Sequence, residues 1–224
     1  MPEKLNGSEK TEFLSQKEAG LETKEKSPEL HLDFYYAPHY AAEDLENIKP
    51  QFERADVFVP EHITWSPTEL EFYNSVAKGE MSVDESMDEA RQLFNIGSAS
   101  MPEYLASMIK MIHGSKKTIY LADIPEGHEI VKYYMNANKL RNLDTKTDVF
   151  LEKIERIKDY AKSYAEWQKK REAFIKDQLK IDLPKFINND SDLKIKKDLN
   201  VLVQLGASHT RMYRDLAVQD KVSR

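Results

Sequence analysis

Four short apolar runs, each followed by a polar residue, stand out in the hydrophobic pattern of this chain. They cover residues 30–39, 56–60, 118–122 and 200–205, and read LHLDFYYAPH, DVFVP, TIYLA and NVLVQL. Runs of this length that are rich in β-branched and aromatic residues are typical of buried strands. The pattern therefore predicts four β-strands.

Helical spacing fills much of the chain between these runs. Leu45, Ile48 and Phe52 recur at intervals of three and four, which predicts an amphipathic helix. Pro50 would cost about 3 kcal/mol inside that helix, so we expect a break or a kink there. A second helix is predicted over residues 102–114, opened by proline and closed by glycine.

The longest helical pattern extends from about residue 147 to residue 180. Its predicted inner stripe steps by three and four through Phe150, Ile154, Ile157, Ala161, Tyr164, Gln168, Arg171 and Ile175. Arg171 therefore projects from an otherwise apolar face. Because arginine cannot shed its charge, it needs a carboxylate partner or an anionic ligand. The alternative to ligand binding is a structural ion pair with Glu61 or Asp123.

Strands that alternate with helices predict the fold class. We expect an α/β fold with a mostly parallel sheet and helices on both faces, in a single domain. Residues 1–28 are rich in Glu, Lys, Ser and Gly and are predicted to form a flexible tail, which leaves residues 29–224 for the domain. The segment 79–100 is less regular, and we predict an insertion or lid there with a short helix near residues 90–94.

Composition excludes several classes of protein. With 33 basic and 39 acidic residues the net charge is -6, which predicts no nucleic-acid partner. The chain has no cysteine, so neither disulfides nor thiolate chemistry is available. No stretch approaches the roughly 20 apolar residues of a membrane span, and the first residues lack a signal-peptide pattern. We therefore predict a cytoplasmic protein.

Each predicted strand ends in residues that can carry chemistry: His39, Glu61, Asp123 and His209. In open α/β sheets ligands bind beyond the carboxyl ends of the strands, where residues distant in sequence converge. His39, His209 and Glu61 would together suit a divalent metal such as Mn, Co, Zn or Fe. Such an ion lowers the pKa of bound water towards about 7, and Glu61 could serve as a ligand or as the general base. His62 should point the other way and is a weaker candidate.

The segments YYAPHYAAEDLENIKPQFERADVFVPEH, TIYLADIP, REAFIKDQL and VLVQLGASH resemble, in this order, the TraB, Tiki and erythromycin-esterase-like superfamily, which includes ChaN-like proteins. The likeness extends over about residues 30–217. The family pairs two G-x-x-H motifs with a glutamate after the second strand, an aspartate at a strand end and an arginine on a late helix. The matching positions are His39, Glu61, Asp123, Arg171 and His209, although Tyr36 replaces the first motif's glycine.

Members of this family include metal-dependent proteases, esterases with a histidine base and haem-binding lipoproteins. The resemblance implies a fold and a site. We expect a hydrolase acting on a small-molecule or peptide substrate, in which Arg171 stabilises oxyanion charge or orients a carboxylate and Asp123 orients a histidine. The alternatives are a non-catalytic protein that binds haem or another ligand, and an inactive scaffold. Oligomeric state is open as well, since the long charged helix could pack against a second copy in a homodimer.

Overall fold

The computed structural model describes residues 27–37, 42–96, 101–142, 150–206 and 209. Most of the predicted flexible tail, residues 1–26, lies outside these ranges, and so does His39. The predictions made for those residues therefore stay predictions.

The four predicted strands are present and form one sheet, with bounds β1 Glu29–Ala37, β2 Val57–Val59, β3 Thr118–Ile119 and β4 Asp198–Gly206. Every pairing is parallel, and the strands lie in the order β1-β4-β2-β3. The longest pairing joins β1 to β4 from Glu29 opposite Asp198 to Ala37 opposite Gly206. The predicted parallel α/β sheet is thus confirmed, and the carboxyl ends of its strands share one edge.

Helices occupy most of the remaining described chain: α1 Ala42–Arg54, α2 Pro67–Lys78, α3 Val83–Leu93, α4 Glu103–Ile112, α5 Val131–Asn142, α6 Phe150–Asp177 and α7 Leu183–Asn189. A π-helical turn, Gln178–Asp182, joins α6 to α7. None of the described helices combines the length and the apolar character needed to cross a bilayer.

The sheet is covered on both faces, as predicted. Along β2, Phe58 packs with the apolar residues of α1, α2 and α4, while Val57 and Val59 pack on the opposite side with Ile175 and Leu179. Successive side chains of a strand point to opposite faces, so one short strand can serve two cores. The C-terminal part of α6 is thereby fixed against the sheet.

The sequence patterns missed one helix between β2 and β3 and underestimated the length of another. Helix α2 was not predicted, and α3 is longer than the short helix expected near residues 90–94. Both begin with a capping box, Ser66 with Glu69 and Ser82 with Glu85. This sequence signature satisfies two backbone N–H groups reciprocally and could have located both helix starts. The described part of segment 79–100 is therefore more regular than its composition indicated.

Of the break or kink predicted at Pro50, the break is wrong, because α1 continues past it to Arg54, while the kink stays a prediction. Pro50 is exposed, whereas Leu45, Ile48 and Phe52 are buried against the sheet. Burial of that apolar stripe offsets the cost of the missing backbone hydrogen bond.

Replacing Pro50 by alanine should raise the free energy of unfolding by about 1 to 2 kcal/mol, because the helix regains a hydrogen bond while the unfolded chain gains some entropy. Urea denaturation would measure the change, with Lys49→Ala, at a neighbouring exposed position, as the matched control. An unchanged or lower stability of Pro50→Ala would contradict this account of α1.

The predicted inner stripe of α6 holds only in its C-terminal half. Ile157 is 65% exposed and Tyr164 is 39% exposed, so the first half does not bury the expected face. Helix α6 also packs along α5, where Tyr134 contacts Trp167 and Lys170 lies over the ring of Tyr133. In the second half Arg171 and Ile175 are buried as expected.

Candidate active site at the carboxyl edge of the sheet

Four residues from separate segments meet at the carboxyl edge of the sheet. Glu61 follows β2, Asp123 follows β3, and His209 lies three residues beyond the end of β4 at Gly206. Arg171 reaches them from the buried face of α6. The structure therefore brings together four of the five residues predicted from the sequence, and the fifth, His39, lies outside the described residues.

The Arg171 guanidinium joins the other three side chains. Its Nε donates to Asp123 Oδ1 at 2.9 Å, and its Nη2 donates to Glu61 Oε1 at 2.7 Å and also to Asp123 Oδ2. Its Nη1 lies 3.0 Å from His209 Nε2. Both structural partners proposed for Arg171 are thus present at once. We call Glu61, Asp123, Arg171 and His209 the arginine cluster.

The arginine cluster is almost completely withdrawn from water. The side chains of Arg171 and Asp123 are each 2% exposed, that of Glu61 is 6% exposed, and His209 is fully buried. The cluster contains two carboxyl groups and one guanidinium, so its acidic groups outnumber the single cation that both of them contact. Buried charges of this kind are tolerated only when their hydrogen bonds are satisfied.

Burial and hydrogen bonding act against each other on Glu61. Burial alone would raise its pKa, but hydrogen bonding and charge from Arg171, and from His209 when its ring is protonated, outweigh burial and lower the pKa to about 2. Burial would also lower the pKa of Arg171, yet Asp123 and Glu61 raise it above its usual range. At neutral pH Glu61 is therefore a carboxylate and Arg171 a cation.

The hydrogen-bonding partners of His209 indicate its tautomer. Because Arg171 Nη1 can only donate, His209 Nε2 must accept, which places the proton of a neutral ring on Nδ1. Glu61 Oε1 is 3.5 Å from Nε2, and Glu172 Oε1 is 3.5 Å from Nδ1. Nδ1 has no closer hydrogen-bond partner among the described residues. The imidazole thus lies between two carboxylates.

Glu172 was missed by the sequence reasoning. It follows Arg171 directly on α6, and its side chain is 18% exposed. The stripe that identified Arg171 passes over Glu172, since adjacent helical residues point about 100° apart. Only the position of His209 beyond β4 makes this carboxylate part of the site.

Backbone contacts fix the two carboxylates of the arginine cluster. The N–H of Gly206, at the end of β4, donates to Glu61 Oε2. The N–H of Ile124 donates to Asp123 Oδ1 at 2.8 Å, and Trp65 Nε1 donates to the Asp123 carbonyl oxygen at 2.6 Å. Asp123 therefore orients Arg171 directly, and its expected role towards a histidine stays a prediction.

The donors described here do not fit a metal ion between Glu61 and His209. Glu61 Oε1 and His209 Nε2 both accept hydrogen bonds from Arg171, so an ion between them would have to displace the guanidinium. The buried positive charge of Arg171 would also repel a dication at that point. Within the described ranges, no three His, Asp or Glu side chains are grouped as metal ligands. Haem ligation through His209 Nε2 meets the same obstacle.

A cavity of about 570 Å³ opens beside Glu61. Its lining includes Glu61 and His62, so the adjacent His62 does contribute to this edge of the sheet. His62 Nε2 lies 3.4 Å from Glu69 Oε1, and its Nδ1 lies 3.5 Å from the Tyr73 hydroxyl. Glu61 thus belongs both to the arginine cluster and to the lining of this cavity.

A scan against protein-family models, a search of curated proteins and a search of solved structures each return no match.

Proposed function

We propose that this chain is a cytoplasmic hydrolase of the TraB, Tiki and erythromycin-esterase-like type, acting on a small-molecule or peptide substrate bound in the cavity beside Glu61. The observation that carries the proposal is the position of His209 between the carboxylates of Glu61 and Glu172, with Arg171 bound to its Nε2. Imidazole is the side chain best suited to accept a proton near neutral pH. A histidine in this setting can become charged without leaving an unpaired cation.

In the proposed reaction Glu61 holds the attacking water and His209 takes its proton. The low pKa of Glu61 makes it a weak base, so its carboxylate accepts a hydrogen bond and directs the proton to His209 Nε2, 3.5 Å away. The oxygen attacks the carbonyl carbon as the proton leaves, which produces a tetrahedral oxyanion. The resulting imidazolium is balanced by Glu61 and Glu172.

Arg171 has a different role before and after this proton transfer. When His209 Nε2 becomes protonated, it can no longer accept from Arg171 Nη1. That donor is then available to the oxyanion, which stabilises charge only as it develops. Asp123 is a positioning residue, because its contacts with Nε and Nη2 keep the guanidinium in place. Collapse of the oxyanion expels the leaving group, to which His209 returns the proton.

Hydrolysis of para-nitrophenyl esters and amino-acid para-nitroanilides tests the proposal. We expect His209→Gln and Glu61→Gln each to lower kcat/KM by about a hundredfold, since positioned acid–base groups contribute at least that much. His31→Gln is the matched control, because His31 has a side chain that is 42% exposed and pairs with Asp198, far from the arginine cluster. Circular dichroism spectra must stay unchanged for the comparison to hold.

The same assay tests the metal prediction. Activity that survives EDTA supports the metal-free reaction described above, whereas activity that appears only with added Mn, Co or Zn supports a metal site completed by His39. Full activity of His209→Gln would overturn the proposal in both forms.

One observation favours a second candidate, a non-catalytic scaffold or ligand-binding protein of the same fold. His209 is fully buried and the guanidinium of Arg171 is already satisfied by two carboxylates, as in a structural ion pair. This candidate predicts that the wild-type chain hydrolyses neither substrate class. Substitutions in the arginine cluster would then lower only the stability of the fold.

A further inference from the structure

The cavity beside Glu61 has the size and the surface of a binding site for a small organic molecule. Its volume of about 570 Å³ lies within the range of about 300 to 1,000 Å³ that is usual for ligand pockets. Its lining includes three aromatic side chains and four larger aliphatic ones: Tyr73, Phe94, Tyr104, Ile63, Ile96, Leu105 and Met108. An apolar ligand body would be buried there.

The charged groups around this cavity are mainly acidic. Glu43, Glu61 and Glu103 contribute to its lining, and the described lining residues include neither lysine nor arginine. His62 also lines it, but Glu69 lies 3.4 Å from His62 Nε2 and would balance a proton on that ring. Glu61 is paired with Arg171, although the acidic groups of the arginine cluster outnumber its single cation. An anionic ligand would therefore be repelled.

Helix dipoles do not reverse this preference. Glu43 and Glu103 lie in the first turns of α1 and α4, where the positive ends of the helices would otherwise attract an anion. A carboxylate in the first turn of a helix offsets the positive charge of the helix dipole. The glutamates and the aromatic rings, whose faces carry partial negative charge, are therefore the groups that a ligand's charge would meet in the cavity.

We infer that this cavity binds a small organic ammonium compound with an aromatic or aliphatic body, its cation facing the glutamates and the ring of Phe94. The binding site is inferred from the lining residues alone. The statement that such a compound is a substrate rests in addition on the proposed hydrolase function. The substrate would be an ester or amide that carries this ammonium group.

Three probes of nearly equal shape and different charge test the inference: phenethylamine as the cation, phenethyl alcohol as the neutral compound and hydrocinnamate as the anion. Their dissociation constants would be measured by calorimetry on the whole chain near pH 7. We expect the cation to bind about tenfold more tightly than the anion, with the alcohol between them. Equal or tighter binding of the anion, or no binding of any probe, overturns the inference.

Two variants separate charge from aromatic contact. Glu103→Gln should weaken binding of the cation by about threefold and leave binding of the alcohol unchanged. Glu46→Gln, on α1 beside a different cavity, should change the affinity for neither probe. Phe94→Leu should weaken binding of the cation by about threefold more than binding of the alcohol, because the substitution removes the ring and keeps an apolar surface. If all three probes weaken equally in Phe94→Leu, the preference for a cation does not come from the ring.

Binding and turnover give distinguishable failures. If the chain binds phenethylamine preferentially but hydrolyses no ester, the ammonium-binding site is supported and the proposed hydrolase function is contradicted. Hydrolysis of simple esters with no preference among the probes would leave the hydrolase and overturn the ammonium site.

Discussion

Replacing Arg171 by methionine is expected to lower the free energy of unfolding by about 3 to 5 kcal/mol, because it leaves the buried carboxylates of Asp123 and Glu61 without their cation. Both carboxylates accept from the guanidinium, and the two side chains are only 2% and 6% exposed. Water cannot replace the lost partner without opening the edge of the sheet. Urea or thermal denaturation would measure the loss.

A matched control and a compensating variant show where the loss comes from. Lys169→Met removes a cation from an exposed position on the same helix and should change stability by less than about 0.5 kcal/mol. Combining Arg171→Met with Glu61→Gln and Asp123→Asn removes the stranded charges and should recover a large part of the stability. If Arg171→Met alone costs less than about 1 kcal/mol, the arginine cluster does not hold α6 to the sheet.

The second large effect is a loss of stability in acid that depends on Glu61. Its pKa is about 2 in the folded chain against an ordinary value of 4.5, so the folded state favours the carboxylate. This contribution, about 3 kcal/mol, is present in full above pH 4.5 and disappears as the pH falls through 2. Roughly 2 kcal/mol of it should be lost by about pH 3.

Comparison of the wild-type chain with Glu61→Gln isolates this contribution from that of the other carboxylates. The stability difference between the two should shrink by roughly 2 kcal/mol between about pH 6 and about pH 3, because glutamine does not titrate. Glu46→Gln, which removes an exposed carboxylate from α1, is the matched control. A constant difference for Glu61→Gln would show that its carboxylate is not held in the ionised form by Arg171 and His209.

Local patterns in the sequence predicted the strands, since each strand is short, apolar and bounded by polar residues. They also predicted that Arg171 lies on a buried face, because Ile175 follows it on the same stripe. Strand order could not be predicted in this way, because the pairing of β4 with both β1 and β2 joins residues far apart in the chain. The contact between Glu172 and His209 depends on that same pairing.

The failures in the sequence reasoning have two physical causes. Pro50 was weighed by its local cost alone, whereas tertiary burial of Ile48 and Phe52 decided the length of α1. In the first half of α6 the local pattern predicted burial that tertiary structure does not provide. Ile157 keeps the helical periodicity but is exposed, because no neighbouring surface covers it among the described residues. In both cases the deciding contacts are long-range.

The position of β4 has a consequence for synthesis of the chain on the ribosome. Although it follows the other described strands in sequence, β4 lies between β1 and β2 in the sheet. Until residues 198–206 have emerged, β1 has no partner among the described strands, and of these β2 can pair only with β3. Nascent chains therefore cannot complete the sheet before β4 has been synthesised, and a truncation before residue 198 would expose unpaired strand edges to aggregation.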